Sequence, residues 1–144
     1  MLKKRKTREL AMQVLYLWDS HAQRDVDPAT QIVAEGSDEP AVRESAMKIA
    51  EAAWEQREAI DKWIERLAPQ WPTRRQPAVD RSLLRLAVWE LTNTDTPPKV
   101  VIDEAIELAK EFSTEQSPAF INGVLDAVLK ERETLLGEGS GFGV

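Results

Sequence analysis

The stretch VDRSLLRLAVWEL, residues 79–91, decides the fold class, because its apolar side chains recur at three- and four-residue steps. This is the spacing of a helix that buries one face against a core. No segment of the chain alternates apolar and polar residues convincingly enough to indicate a strand. The sequence therefore predicts an all-α protein. The positions that share the buried face are Val79, Leu83, Leu86, Ala87 and Leu91.

The same spacing continues on both sides of this stretch. It predicts a helix from about Thr7 to Ala22 and a helical segment from Ala41 to about Leu67, long enough to admit a break near Arg57. Further helices are predicted over residues 100–112 and from Ser117 onward, where Ser-Pro is typical of a helix start. The length of 144 residues suits one domain or two tightly packed helical halves.

Charge is divided unevenly along the chain. The net charge is −6, yet residues 1–8 hold five basic side chains and no acidic one. The remaining residues carry 14 basic and 25 acidic side chains, a net charge of −11. A basic arm on an acidic body suits a polyanion at one end and a basic partner elsewhere. The alternative is that the arm only adds solubility. Its basic residues are Lys3, Lys4, Arg5, Lys6 and Arg8.

The inventory of reactive side chains argues against an enzyme. The chain has no cysteine and one histidine, His21, so thiolate metal sites and most nucleophile–base pairs are excluded. No phosphate-binding or dinucleotide-binding glycine motif occurs. Glu104, Glu107 and Glu111 share a helix face, which we interpret as a solvated charged surface. We therefore expect no catalytic residue, no metal site and no cofactor.

The sequence also carries no sign of a membrane protein. No run of about 18 apolar residues is present, and no apolar signal segment follows the basic N-terminus. We therefore expect a cytoplasmic protein without a membrane span.

Four stretches together resemble the NusB transcription-antitermination family in order and separation. They are RKTRELAMQVLYLWD (residues 5–19), VDRSLLRLAVWEL (79–91), PPKVVIDEAIELAKEF (97–112) and SPAFINGVLD (117–126). The resemblance covers nearly the whole chain and is weakest over about 24–45 and in the glycine-rich tail.

The resemblance implies both a fold and a function. We expect one helical RNA-binding domain over residues 1–135, built of two small packed subdomains at about 7–68 and 78–135, and a disordered tail at 136–144. Members of this family pair with a small-subunit ribosomal protein, NusE, bind the single-stranded boxA element of nascent RNA, and join the antitermination complex on RNA polymerase. This serves ribosomal RNA transcription. A homodimer is left open.

The resemblance also implies site residues. The arm residues Lys3, Lys4, Arg5, Lys6 and Arg8 match the family's arginine-rich RNA-binding segment. Phe120 matches an aromatic that contacts RNA, where it would stack on a base; the alternative is that it is core. For the partner, Glu90 matches an acidic position that faces NusE, and Tyr16 lies in the helix that resembles the docking region.

Arg81 and Arg85 are candidates on spacing alone. They are four residues apart on one helix face and could extend the basic track toward RNA. The alternative is that they pair with nearby acids such as Asp80.

Two other functions remain open at this stage. A NusB-like module also occurs as the RNA-recognition part of ribosomal RNA methyltransferases, although we expect no cofactor domain in this chain. The other is a helical protein-interaction adaptor that does not bind RNA.

Overall fold

The computed structural model describes residues 5–137, with side chains described up to Glu133. These residues form seven α-helices and a short 3-10 turn at Thr73–Arg75, with no strand among them. The predicted all-α class is thus confirmed. In chain order the helices are α1 Arg5–His21, α2 Val26–Gly36, α3 Pro40–Glu55, α4 Arg57–Leu67, α5 Ala78–Asn93, α6 Pro98–Phe112 and α7 Ser117–Gly137.

Two predictions concern chain ends that the structure covers only in part. Lys3 and Lys4 of the basic arm lie outside the described residues. The tail was predicted to begin at residue 136, whereas α7 continues to Gly137; residues 138–144 lie outside the described part.

Local sequence sets where several helices begin and end. The break that the length of the Ala41–Leu67 segment admitted is present, because α3 ends at Glu55 and α4 begins at Arg57. Proline opens α3 and α6, where its missing N–H costs no hydrogen bond. Helix α1 is followed by Ala22 in a left-handed conformation, with a φ of 55°.

The helices share one apolar core centred on α1 and α5. Helix α1 packs against α2, α3 and α5, and α5 packs in turn against α6 and α7. Trp18 of α1 meets Trp54 of α3 edge to face, with ring centroids 5.8 Å apart. Gly36 lets α2 approach α1, since a Cβ there would lie 2.2 Å from Leu10 Cδ2. Because α1 and α5 pack together at the centre of the core, their packing sets the positions of the α1 and α5 residues that were predicted to bind RNA or a partner.

Candidate nucleic-acid and partner interfaces

Arg5 and Lys6 of the basic arm are exposed at the start of α1. Arg5 donates from Nε and Nη2 to Glu104 Oε2 of α6, at 3.0 and 2.7 Å. The hydrogen bond and charge of Glu104 raise the pKa of Arg5 above its usual value. Lys6 pairs with Glu9 at 3.0 Å. Positive charges in the first turn of a helix destabilise it, because they oppose the helix dipole. The carboxylates of Glu104 and Glu9 offset this unfavourable interaction.

Arg8 and Glu90 are not surface residues. Arg8 donates from Nε and Nη2 to the two carboxylate oxygens of Glu90, at 3.0 and 2.8 Å, and both side chains are buried. The expectation that Glu90 faces a partner is therefore wrong: it is 1% exposed. Arg8 likewise does not belong to an exposed RNA-binding track, because its fork is matched to a buried carboxylate.

Glu104 also departs from its interpretation as part of a solvated face. Its Oε1 lies 3.5 Å from Arg8 Nη1, and its Oε2 accepts the hydrogen bonds from Arg5. It therefore ties the start of α1 to α6.

Arg81 and Arg85 form a network of ion pairs between α1, α4 and α5. Arg81 Nη2 lies 2.5 Å from Asp19 Oδ2, and Arg85 Nη1 lies 2.9 Å from Asp19 Oδ1. Arg85 also binds Asp61 through two hydrogen bonds of 3.0 and 2.7 Å. The idea that they extend an RNA track is wrong for this arrangement. Pairing with acids is confirmed, but the acids are Asp19 and Asp61 and not Asp80.

The pKa values of this network follow from burial and charge. Burial raises the pKa of Asp19, but the hydrogen bonds and charges of Arg81 and Arg85 outweigh it, so the net pKa is lowered. Burial lowers the pKa of Arg85, but Asp61 and Asp19 more than offset this, so the net pKa is raised. Both groups are held in their charged forms.

Phe120 stands at one wall of a cleft that we call the Trp71 cleft. Its ring meets Trp71 edge to face, with centroids 6.1 Å apart and planes at 67°. Phe120 is half-buried, and part of its ring packs on the core. The choice between stacking and core therefore stays a prediction. The cleft has a volume of about 560 Å³, and its lining includes Trp71, Arg75, Gln76, Asp80, Gln116, Ser117 and Phe120.

Asp80 organises the floor of the Trp71 cleft. It is buried and accepts hydrogen bonds from Ser113 Oγ at 2.6 Å and Ser117 Oγ at 2.9 Å. These bonds join the start of α5 to the turn between α6 and α7. The wall that carries Phe120 is thereby held against the wall that carries Trp71.

Sequence reasoning missed Trp71. The available signal was the proline-punctuated loop that contains Arg74 and Arg75. Tryptophan is buried by default, so an exposed one inside a loop carries no periodicity that would reveal it.

Tyr16 opens onto a second cleft, which we call the Tyr16 cleft. Its side chain is 43% exposed, in agreement with a surface role. The cleft has a volume of about 480 Å³, and its walls are mostly apolar. An apolar cleft beside an exposed tyrosine suits an anchor side chain of a protein partner. The lining includes Met12, Leu17, Ile32, Val79 and Phe112.

Within residues 5–137, no group of three His, Cys, Asp or Glu side chains is placed to hold a metal ion. In the same range no helix combines the length and the apolar character needed to cross a bilayer.

Over the described residues the fold is that of an all-α protein with the Trp71 cleft and the Tyr16 cleft on its surface. Residues 5–130 match the NusB family. The transcription antitermination protein NusB of Solibacter usitatus is 41% identical over 133 residues, which cover 91% of this chain and 91% of that protein. The chain belongs to the NusB family.

Solved structures agree with this assignment. T. maritima NusB superposes with a TM-score of 0.76 at 37% identity, covering 91% of this chain and 94% of that chain. A chain in the crystal structure of antitermination factors NusB and NusE in complex with dsRNA gives a TM-score of 0.78 at 30% identity, covering 88% of this chain and 96% of that chain.

Proposed function

We propose that this chain is a transcription antitermination factor that binds boxA-type RNA jointly with the ribosomal protein NusE. The observation that carries the proposal is its match to the family over residues 5–130, together with its likeness to a chain from a NusB–NusE complex with dsRNA. In this role residues 1–135 act as one binding domain in the cytoplasm, without catalysis, and deliver the RNA to the antitermination complex on RNA polymerase.

The RNA surface is built from the basic arm and Phe120. Arg5 and Lys6 are exposed at the start of α1, and Lys3 and Lys4 precede them in the sequence. Their charges suit phosphates, and the half-buried ring of Phe120 suits an unpaired base. Arg8, Arg81 and Arg85 are not part of this surface, since each is paired with a carboxylate of the protein itself.

The partner surface is the Tyr16 cleft. Apolar walls and an exposed tyrosine suit a protein partner, and the net negative charge of the chain beyond the arm favours a basic ribosomal protein.

The test is an anisotropy titration of labelled boxA RNA with this chain, with NusE, and with both. Because the arm offers few phosphate contacts on an acidic body, we expect weak binding by the chain alone and much tighter binding by the pair. A scrambled RNA of the same length is the control. Equal affinity of the isolated chain and the pair, or equal affinity for both RNAs, would overturn the proposal.

A further inference from the structure

We propose that the Trp71 cleft is a nucleotide site that takes one unpaired base of the RNA on the indole of Trp71 and its phosphate on Arg75. The inference rests on the proposed function, because it specifies how the same RNA is read. It adds Trp71 and Arg75 to the RNA-binding residues and gives Arg81 an indirect part.

The first observation is the exposed indole. Trp71 is 52% exposed, whereas Trp18, Trp54 and Trp63 are buried. Its contact with Phe120 is edge to face, an arrangement that supports the indole without sandwiching it between two rings. Stacking on an aromatic face is how proteins hold unpaired bases, since every base has a π-face.

The second observation is the charge beside the indole. Arg74 and Arg75 are exposed in the 3-10 turn that follows Trp71, and Arg75 lines the cleft. Within the described part of the chain, neither guanidinium pairs with a carboxylate. Beyond the arm the chain has a net charge of −11, yet these two neighbouring guanidinium groups have no carboxylate partner among the described residues. The negatively charged phosphodiester of an RNA would be a counter-ion for these guanidinium groups.

The third observation is that the loop is held in place before any ligand arrives. Arg81 Nη1 donates to the carbonyl oxygens of Thr73 and Gln76, at 2.8 and 3.1 Å. Gln76 Nε2 in turn donates to the carbonyl oxygen of Trp71 at 3.1 Å. Asp19 fixes the other end of Arg81. A rigid loop binds without an ordering cost, so Arg81 is a positioning residue for this site.

The cleft also offers groups that can read a base edge. Gln116 is exposed at its lining and carries both a donor and an acceptor. The volume of about 560 Å³ lies in the range of pockets that hold small organic ligands. A nucleotide is therefore a better match than a long apolar side chain of a protein.

The experiment measures boxA RNA binding to the chain in complex with NusE, by anisotropy and by tryptophan fluorescence. Loss of one stacked base corresponds to a fall in affinity of roughly 5- to 150-fold for Trp71→Ala. Trp71→Phe should retain most of the affinity but lose the fluorescence quenching that RNA causes in the wild type. Arg75→Gln should reduce the salt slope of log affinity by about 0.7, the value for one single-strand phosphate contact.

Three controls test whether the effects come from this site. Arg24→Gln makes the same change of charge at another exposed arginine, and it should leave the salt slope unchanged. An RNA series with one abasic position at a time should contain one position at which Trp71→Ala has no further effect. A fully paired duplex should show no Trp71→Ala penalty.

The outcomes are distinguishable. If the wild-type complex does not bind boxA RNA, the proposed function fails. If it binds but Trp71→Ala leaves affinity and quenching unchanged, this inference is wrong while the function stands. A Trp71→Ala variant that loses NusE affinity and keeps RNA affinity would assign the cleft to a protein and also overturn the inference.

Discussion

At the scale of single residues, the Arg8–Glu90 pair is the feature with the largest expected effect on stability. Both side chains are buried, and the pair has two hydrogen bonds. Removing one member of a buried ion pair costs about 3–5 kcal/mol, because the other charge is left unpaired. We therefore expect Glu90→Gln to lower the free energy of unfolding by about this amount. Urea denaturation followed by circular dichroism measures it.

An exposed glutamate provides the matched control. Glu55, at the end of α3, has a side chain that is 72% exposed, so Glu55→Gln should change the free energy of unfolding by less than about 0.5 kcal/mol. An equally small effect for Glu90→Gln, with weakened NusE binding, would restore Glu90 to the partner surface.

Individual contacts were the least predictable level from the sequence. Arg8 and Glu90 are 82 residues apart, and Arg81 and Asp19 are 62 apart. Composition and periodicity show that charges are present but not which distant charge each one meets. Tyr16 was named from the family resemblance of its helix, and its exposure became visible only in the structure.

At the scale of elements, the ion-pair network joins α1 to α5 through Asp19 and α4 to α5 through Asp61. The lowered pKa of Asp19 means that its charged form contributes stability in the native state. We expect Asp19→Asn to reduce the free energy of unfolding at neutral pH by about 1–3 kcal/mol, less than for a fully buried pair, because Asp19 is partly exposed and Arg85 keeps Asp61.

The pH dependence of that difference follows from the sign of the pKa shift. A carboxyl group with a depressed native pKa stabilises the protein above its unfolded pKa of about 3.9 and loses that contribution as pH falls through the native value. The difference in free energy of unfolding between the wild type and Asp19→Asn should therefore be constant between about pH 5 and 7. It should shrink below about pH 4. Denaturation curves across this range test it. A difference that grows in acid would contradict the assigned network.

Helices were predictable to a larger extent than contacts. The stretch 79–91 was predicted helical and lies within α5, Ala78–Asn93, and Ser117 does begin α7. Apolar spacing and proline positions are local signals, so a single sequence contains them. The loop that carries Trp71 has no repeating pattern, and its shape depends on Arg81 reaching its carbonyl groups from α5.

At the scale of the whole molecule, the proposed function assigns RNA to the basic arm and the protein partner to the acidic body. Replacing Lys3, Lys4, Arg5 and Lys6 by Gln removes up to four phosphate contacts. At about 0.7 per contact, the salt slope of boxA RNA binding by the NusE complex should fall by at most roughly 3. Affinity should fall for all RNA sequences alike. An unchanged slope would reduce the arm to a solubilising segment.

The Tyr16 cleft gives the complementary prediction for the partner. Tyr16→Ala removes an exposed anchor, so we expect NusE affinity to fall by about 2 kcal/mol or more, as for an interface hot spot. The melting temperature of the free chain should change little, because the side chain lies outside the core. Calorimetric titration with NusE measures the affinity, and an unchanged value would place the partner elsewhere.

Terminator read-through tests the central claim most directly. Transcription is followed in a bacterial extract depleted of its own NusB protein, on templates with and without boxA. The account predicts that adding the wild-type chain restores read-through on the boxA template alone, and that Tyr16→Ala and the four-fold arm variant restore less. Read-through that is independent of boxA, or that is unaffected by adding the chain, would contradict an antitermination role.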